Sequence, residues 1–288
     1  MRLSKFAAIT MSGLLAAGSL AGGAAAQDQT GAGSSDAGSG QGDLSKQLNN
    51  PVAALISVPF QFDYNQNIGA DDKGSEWVLE IEPVIPIPIS ENWNLINRII
   101  LPIEWPSNIP SGSGGDYGIG DTEWAFYFSP KQPVNGWTWG IGPALTFPTS
   151  LSNSEDRRAK FGAGTWGGGA TGVVLRQTEG WTYGGLITRL VDFKDDPAIP
   201  TNSWLLQPFL AYSWDGWPVS LNSESSYNMT ADNDKWSVPI NLGLAKVVKL
   251  GGAPIQLKGG VRYWAQSPDT GPQDWGFRLS ATFLFPRG

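Results

Sequence analysis

The side chains that could do chemistry in this sequence are carboxylates and basic groups, because the chain contains no His and no Cys. The absence of Cys removes disulfides, thiolate nucleophiles and Cys-ligated metals. The absence of His removes the commonest general base, the Ser-His-Asp arrangement and the usual zinc sites. Paired carboxylates remain for catalysis, and opposed charges on a shared surface remain for binding.

Charged residues recur at a spacing of two, which places them on the same face of an extended strand. Glu80 and Glu82 form one such pair, and Asp121 and Glu123 form another. Paired carboxylates can act as acid and base in hydrolysis, or they can line a polar passage. Most acids of this set precede the bases along the chain, so we expect walls of opposite charge. The residues predicted to face the interior of the fold are Asp63, Glu80, Glu82, Arg98, Glu104, Asp121, Glu123, Glu224, Lys258, Arg262 and Arg278.

The elements that must position these side chains are strands. After residue 54, apolar and polar residues alternate in about twelve segments, and no helical period competes with this pattern. In 275–285, aromatic and aliphatic residues occupy every second position, and Gly, Arg, Ser and Thr occupy most of the others. The low charged fraction of 16% and the 14 Trp also suit extended strands. The segments are 54–65, 77–89, 93–105, 119–129, 137–148, 166–177, 181–193, 203–214, 217–229, 236–249, 254–266 and 275–285.

Tryptophan positions distinguish a membrane barrel from a soluble sandwich, since both folds have strands with one apolar face. Nearly every Trp lies near the end of a segment. Trp93 and Trp105 bracket one segment, and their separation corresponds to about 28 Å of height at a tilt of about 45°, close to the apolar band of about 25 Å in membrane barrels. We predict two aromatic girdles at the membrane interfaces. Their members are Trp77, Trp93, Trp105, Trp137, Trp181, Trp204, Trp217, Trp236 and Trp275.

The links between segments alternate between short and long, as in outer-membrane barrels with short periplasmic turns and longer outer loops. Short links carry a related motif: NGW at 135–137, EGW at 179–181 and DGW at 215–217. Asn-Gly and Asp-Gly accommodate the positive φ angles of tight hairpins, and the following Trp enters the membrane interface. Prolines inside the segments require bulges or unpaired ladder positions, because a closed barrel has no free edge.

The chain is predicted to have three regions. Residues 1–26 have a basic start, an apolar centre and an Ala-rich end, which is typical of a secretory signal peptide. Residues 27–50 begin with small polar residues that favour a disordered periplasmic tether, followed by a possible short helix. Residues 51–288 are predicted to form the barrel, with both chain ends in the periplasm. Removal of Arg2 and Lys5 changes the formal charge from −7 to −9, which argues against nucleic acid as a partner.

From residue 50 onward the chain resembles the outer-membrane transporters grouped as the MetA-pathway of phenol degradation family, some of which carry the label neuromedin U. The resemblance covers the whole predicted barrel, and the first and last phrases are its most specific parts. It implies an outer-membrane β-barrel that passes or handles small molecules, without a substrate that can be transferred. The matching phrases are NPVAALISVPFQ at 50–61, GIGD at 118–121, LLQPFLAYSWDGW at 205–217, WSVPINLGLAK at 236–246 and GVRYWAQSPDTGPQDWGFRLSATFLFP at 260–286.

The sequence therefore predicts an all-β fold, an antiparallel up-and-down transmembrane barrel in the outer membrane of a Gram-negative bacterium. Its interior charges either create a transverse field in a pore for small solutes or pair across the lumen and fill it, as Asp63 with Arg262 or Arg278 would. A plugged structural or adhesive barrel and a carboxylate-based lipid-modifying enzyme are the alternatives. We expect no cofactor and no metal. The expected partners are outer-membrane lipid and lipopolysaccharide, a small solute and the barrel-assembly machinery.

Overall fold

The computed structural model describes residues 44, 46–110, 112, 114–152, 161–194, 202–214 and 216–285. The predicted signal peptide, 1–26, and the first part of the predicted tether, 27–43, lie outside these residues. Within the described residues, no helix has the length and apolarity needed to cross a membrane.

The described chain is nearly all antiparallel strand, and the strands form a closed 12-strand β-barrel. Closure is direct, because the first strand pairs with the last in a continuous antiparallel ladder. The strands are β1 (Ile56–Ile68), β2 (Gly74–Ile81), β3 (Val84–Pro88), β4 (Trp93–Ser107), β5 (Gly118–Ile119), β6 (Thr122–Pro130), β7 (Trp137–Phe147), β8 (Leu151–Ser152), β9 (Gly167–Gln177), β10 (Trp181–Asp192), β11 (Ser203–Trp214), β12 (Trp217–Ser223), β13 (Ser225–Asn228), β14 (Trp236–Leu250), β15 (Ala253–Gln266) and β16 (Asp274–Phe285).

Three of the predicted segments are each split into two consecutive strands, namely β2 with β3, β5 with β6, and β12 with β13. The short β8 pairs only with β5 and extends the wall at one end. The predicted segments otherwise match the observed strands to within a few residues at each end. The alternation of apolar and polar residues produces this agreement, because it assigns one face of each strand to the outside and the other to the lumen.

The outer face is apolar and the inner face is small or polar. On β14, Ile240, Leu242 and Leu244 are exposed, while the alternate residues Asn241 and Ala245 are buried. The nine predicted girdle tryptophans all lie on the outside near strand ends; Trp236 is half-buried and the others are between 37% and 58% exposed. Their role at a membrane interface stays a prediction.

The tightest links between strands are 178–180, 251–252 and the link from β11 to β12, and they all lie at one end of the barrel, which we call the turn end. Gly136, Gly180 and Gly216 in the turn motifs have φ angles of +79°, +74° and +73°, as hairpin turns require. The longer links lie at the opposite end, the loop end, and they include 108–117 and 267–273.

Strand prolines lie where the ladder is interrupted. Pro59 and Pro83 lie at the gap where β1 stops pairing with β2 and meets β3. Pro102 lies where the partner of β4 changes from β6 to β5, and its carbonyl accepts the Gly120 N–H at 2.9 Å. Pro143 faces a gap in the pairing of β6 with β7. Because the missing N–H groups fall at unpaired positions, the barrel accommodates these prolines without leaving ladder carbonyls unsatisfied.

The chain preceding β1 turns back into the lumen from the turn end. We call residues 46–55 the N-terminal segment; it begins with a helical turn at 46–48. The Lys46 carbonyl accepts a hydrogen bond from Gln177 Nε2 at 2.7 Å, and Asn50 Oδ1 accepts one from the Val52 N–H at 3.0 Å. Val52 and Leu55 are 5% and 6% exposed, so the segment packs against the inner wall.

Gly276 is expected to be essential for barrel closure. A Cβ atom at this position would lie 2.2 Å from the Tyr64 carbonyl oxygen, across the seam between β1 and β16. Gly276→Ala should therefore destabilise the barrel by roughly 1–3 kcal/mol, because the seam must open to admit the methyl group. The measurement is the temperature at which the folded, fast-migrating band disappears on heat-modifiability gels. Gly259→Ala is the control, since its Cβ would meet nothing closer than 3.7 Å; equal effects of the two substitutions would contradict the prediction.

Candidate functional site

The lumen has an apolar side and a charged side. The apolar side is formed by inward-facing residues of β4, β6, β7, β9 and β10, against which Val52 of the N-terminal segment packs. This cluster contains Val52, Ile96, Ala125, Tyr127, Ala144, Val173, Leu175, Leu186 and Leu190. The Tyr127 hydroxyl accepts a hydrogen bond from Thr171 Oγ1 at 3.1 Å, so its one polar group is satisfied. The charged side is formed mainly by β1, β2, β15 and β16.

The centre of the charged side is a cluster of two carboxylates and two arginines, which we call the ion cluster. Arg278 donates to both carboxylate oxygens of Asp63, at 2.6 and 2.8 Å, and to both oxygens of Glu224, at 2.6 Å each. Arg262 Nη2 lies 3.1 Å from Asp63 Oδ2 and 2.9 Å from Glu224 Oε2. The four formal charges cancel, and the paired geometry satisfies groups whose burial would otherwise be costly.

Ladder register positions the members of the ion cluster. Asp63 and Arg278 are direct partners in the antiparallel pairing of β1 with β16, so their side chains project into the lumen side by side. Arg262 lies on the adjacent strand, β15, and its Nε donates to Asn241 Oδ1 at 2.8 Å. The cluster therefore spans the seam at which the barrel closes.

Glu224 reaches this cluster from an interruption between β12 and β13. If the pairing of β12 with β11 continued, Ser223 would lie opposite Pro208. If the pairing of β12 with β14 continued, Glu224 would lie opposite Pro239. Neither proline offers an N–H to the ladder, and the pairing of β14 with β15 also shifts at Pro239. The strand is free to depart from the ladder here, and its carboxylate extends to Arg262 and Arg278.

A second ion pair lies at the boundary between the charged and apolar sides. Arg98 donates to Glu82 Oε2 from Nη2 at 2.6 Å and from Nε at 3.2 Å. Glu80, on the same face of the strand as Glu82, accepts a hydrogen bond from Gln61 Nε2 at 2.8 Å. The two carboxylates predicted as a possible acid and base are thus each engaged with a different partner.

The remaining predicted interior residues do not join these clusters. Asp121 lies near the loop end, where its carboxylate accepts the Ser150 N–H at 3.0 Å and the Ala163 N–H at 2.7 Å. Asp121 therefore holds loop backbone against the wall. Its spacing of two from Glu123 did not indicate this contact. Glu104 and Glu123 are half-buried on β4 and β6, and Lys258 is half-buried on β15 near the turn end. Among the described residues, these three side chains form no ion pair within 4.0 Å.

Several interior polar residues lie outside the predicted set. Glu76 shares the inward parity of Glu80, but its strand begins at Gly74, three residues before the predicted segment. Asn65 accepts hydrogen bonds from Trp264 Nε1 at 3.2 Å and Arg262 Nη1 at 3.4 Å. Glu76 lies on the same strand face as the predicted residue Glu80, and Asn65 lies on the same face as Asp63, so this parity could have identified both. Asn65 carries no charge, and the predicted interior set consists of charged side chains alone.

Two polar cavities lie beside the N-terminal segment at the turn end. The larger has a volume of about 260 Å³ and is bordered by residues 47–51 together with Glu82, Arg98, Glu224 and Lys258. The smaller has a volume of about 160 Å³ and is also bordered by Lys258. The charged side of the lumen thus borders enclosed space, and the N-terminal segment occupies part of the same region.

Removal of Arg278 is expected to destabilise the barrel strongly. Arg278→Met leaves Asp63 and Glu224 with Arg262 alone, so a buried negative charge is uncompensated, at a cost of about 3–5 kcal/mol. The measurement is the unfolding midpoint in detergent. Adding Asp63→Asn to Arg278→Met should recover part of the loss. Lys73→Met is the control, because Lys73 is 74% exposed and its contact with Asp71 is long, at 3.8 Å. Equal losses at positions 73 and 278 would show that the ion cluster does not stabilise the barrel.

Comparison with known proteins shows a shared fold. No family model matches the chain, and no curated protein matches its sequence. The outer membrane channel of Pseudomonas putida F1 superposes with a TM-score of 0.61 at 15% identity, covering 81% of this chain and 96% of that one. The outer membrane phospholipase of Salmonella typhi, OMPLA, reaches a TM-score of 0.45 at 12% identity, covering 84% of this chain and 96% of that one. This TM-score is too low to support an argument. This chain therefore has a barrel fold of the kind found in outer membrane channels.

Proposed function

We propose that this protein is an outer-membrane channel for small polar solutes, and that the N-terminal segment closes its turn-end mouth in the conformation described. The similarity in fold to the outer membrane channel of Pseudomonas putida F1 supports this proposal. The same proposal includes membership of the transporter family that the sequence resembles. The proposal also includes export of the chain directed by residues 1–26 and a periplasmic position of both chain ends.

The observation that carries the proposal is the way the lumen is occupied. Permanent filling would come from wall side chains that meet across the lumen, as in small barrels. Here the space beside Glu82, Arg98 and Lys258 is bordered instead by residues 47–51, which belong to a segment outside the ladder. A segment held by side-chain packing and single hydrogen bonds can leave while the closed sheet stays intact.

The charges around the cavities favour polar or anionic solutes. The ion cluster is neutral in itself, so it contributes a fixed local field and no net charge. Lys258 borders both cavities and forms no ion pair with another described residue, so it is the cation most available to a solute. Opposed carboxylates, basic groups and an apolar wall would orient a small amphipathic molecule as it passes.

A plugged structural barrel is the second candidate, and the ion cluster is the observation that favours it. Mutual pairing of Asp63, Glu224, Arg262 and Arg278 stabilises the closed wall whether or not anything passes through it. We do not propose catalysis. Glu82 is paired with Arg98, and Asp121 accepts two backbone N–H groups, so neither acts as a free carboxylate beside a second one.

Displacement of the N-terminal segment is expected to raise conductance. Val52→Asp places a carboxylate within the apolar side of the lumen, where it has no partner, so the segment should leave the lumen. Single-channel recording in planar bilayers should show larger or more frequent openings than in the unchanged chain. Val134→Asp is the control, because Val134 is 49% exposed in a turn. If Val52→Asp and a chain lacking residues 27–50 both show no more conductance than the unchanged chain, the plugged barrel is favoured.

Charge reversal at Lys258 is expected to change ion preference. Lys258→Glu replaces the cation that borders both cavities with an anion, so the reversal potential in a salt gradient should shift toward cation selectivity. Lys249→Glu is the control, since Lys249 is exposed at the turn end of β14 and borders neither cavity. Identical reversal potentials for all three proteins would show that ions do not pass Lys258.

A further inference from the structure

The outer wall contains a groove that the channel does not use. Its lining includes the exposed residues Ile141, Val174 and Ile187, each between 45% and 58% exposed, and its volume is about 670 Å³. Two glycines, Gly172 and Gly185, form its floor. We call this surface the wall groove. It lies on the apolar outer face, on the opposite side of the wall from the apolar cluster of the lumen.

The groove exists because glycines interrupt two adjacent rows of outward side chains. Gly172 of β9 lies between Ile141 and Ile187 in the ladder, and Gly185 of β10 lies between Val174 and Pro208. A Cβ at Gly172 or Gly185 would meet no atom closer than 3.8 Å, so both positions face open space. Since their ladder positions are diagonal neighbours, the two gaps join into one slanted depression.

A cation lies at the turn end of the same strand face. Gly172, Val174 and Arg176 alternate along β9, so Arg176 follows the groove by one step of about 6.6 Å along the strand. The Arg176 guanidinium lies 5.8 Å from the centre of the Trp137 ring, and the Trp137 and Tyr183 rings are 6.2 Å apart. Trp137 and Tyr183 are also the two ladder partners of Arg176.

Arg176 is available to a ligand. It is exposed, and it forms no ion pair within 4.0 Å with a carboxylate of the described residues. Its guanidinium lies beside Gly136 of the neighbouring turn, where a Cβ would be 3.7 Å from Nε and Nη2. A guanidinium with free N–H groups beside Trp and Tyr at a membrane interface is suited to a phosphate group.

We propose that the wall groove and Arg176 form a binding site for one phospholipid, with the phosphate on Arg176 and an acyl chain in the groove. The proposal rests on the membrane location included in the proposed function. Only hydrocarbon matches the apolar lining of the groove, and only an anion matches the cation that follows it. A second protein copy is a poorer match, because a stable protein interface buries at least about 1,000 Å², far more than a groove floored by two glycines. Basic groups at the edge of an apolar membrane surface recognise lipid head groups in this way.

The chain provides a matched control for the cation. Lys246 also lies beside a turn-end tryptophan on the outer face, with its Nζ 4.0 Å from the centre of the Trp217 ring. The outward residues next to it, Leu244 and Val219, carry full side chains, and neither they nor Lys246 border the wall groove. General attraction of anionic lipid to the barrel would depend on Lys246 and Arg176 alike. A built site depends on Arg176 alone.

The test is native mass spectrometry of the full chain, delipidated in detergent and titrated with phosphatidylglycerol. The unchanged chain should retain one lipid, and Arg176→Gln should bind it about tenfold more weakly through loss of the charged hydrogen bonds. Lys246→Gln should bind as the unchanged chain does. Equal weakening by the two substitutions, or no weakening by Arg176→Gln, would overturn the proposal. Glycerol phosphate and inorganic phosphate should not compete at equal concentration, because they lack the acyl chain; effective competition would reduce the site to an anion site.

The groove is tested separately from the cation. Gly172→Leu fits the backbone but fills the depression, so it should also abolish retention of the lipid while Arg176 is intact. Gly259→Leu is the control, since Gly259 also lies on an exposed strand position and its Cβ would meet only Leu279 Cδ2 at 3.7 Å. Heat-modifiable migration of each variant confirms that the barrel has formed. Conductance reports the channel independently, so failure of the lipid site and failure of the proposed function give different results.

Discussion

Closure of the sheet is the constraint on which the rest of the structure depends. An open strand edge would leave backbone N–H and C=O groups without ladder partners, and pairing of the first strand with the last removes that edge. In this chain the seam of β1 with β16 is also the place where the ion cluster forms, because Asp63 and Arg278 are direct ladder partners. Gly276 admits the close approach of the two strands at the same seam. The charged side of the lumen is therefore a consequence of how the barrel closes.

The interruptions of the ladder shape the lumen. Each strand proline lies where pairing changes or stops, and one such place, between β12 and β13, releases Glu224 toward the arginines. A regular ladder would keep this carboxylate in line with its own strand. The opposite wall keeps small and aliphatic inward residues, which accommodate Val52 of the N-terminal segment. One lumen thus combines a polar wall that could guide solutes with an apolar wall that holds an occluding segment.

Much of the fold could be predicted from the sequence, because strand patterns are local. A period of two assigns each side chain to a face, and Gly180 and Gly216 in the turn motifs fix the hairpins that follow. The contacts within the lumen could not be predicted in the same way. Glu224 contacts arginines on β15 and β16, and neither parity nor spacing indicates how far it leaves its strand. Parity also placed Asp121 inside but could not show that it binds loop backbone, because loop conformation has no period.

The ion cluster links the beginning of the barrel to its end. Asp63 and Arg278 are 215 positions apart, and Arg262 and Glu224 also lie late in the chain. A polypeptide that lacked β16 would bring two carboxylates toward a single arginine, and their mutual repulsion would oppose the approach of the remaining strands. The ion cluster becomes neutral only when β16 is present. The same four side chains that stabilise the finished barrel therefore also discriminate against closure of an incomplete one.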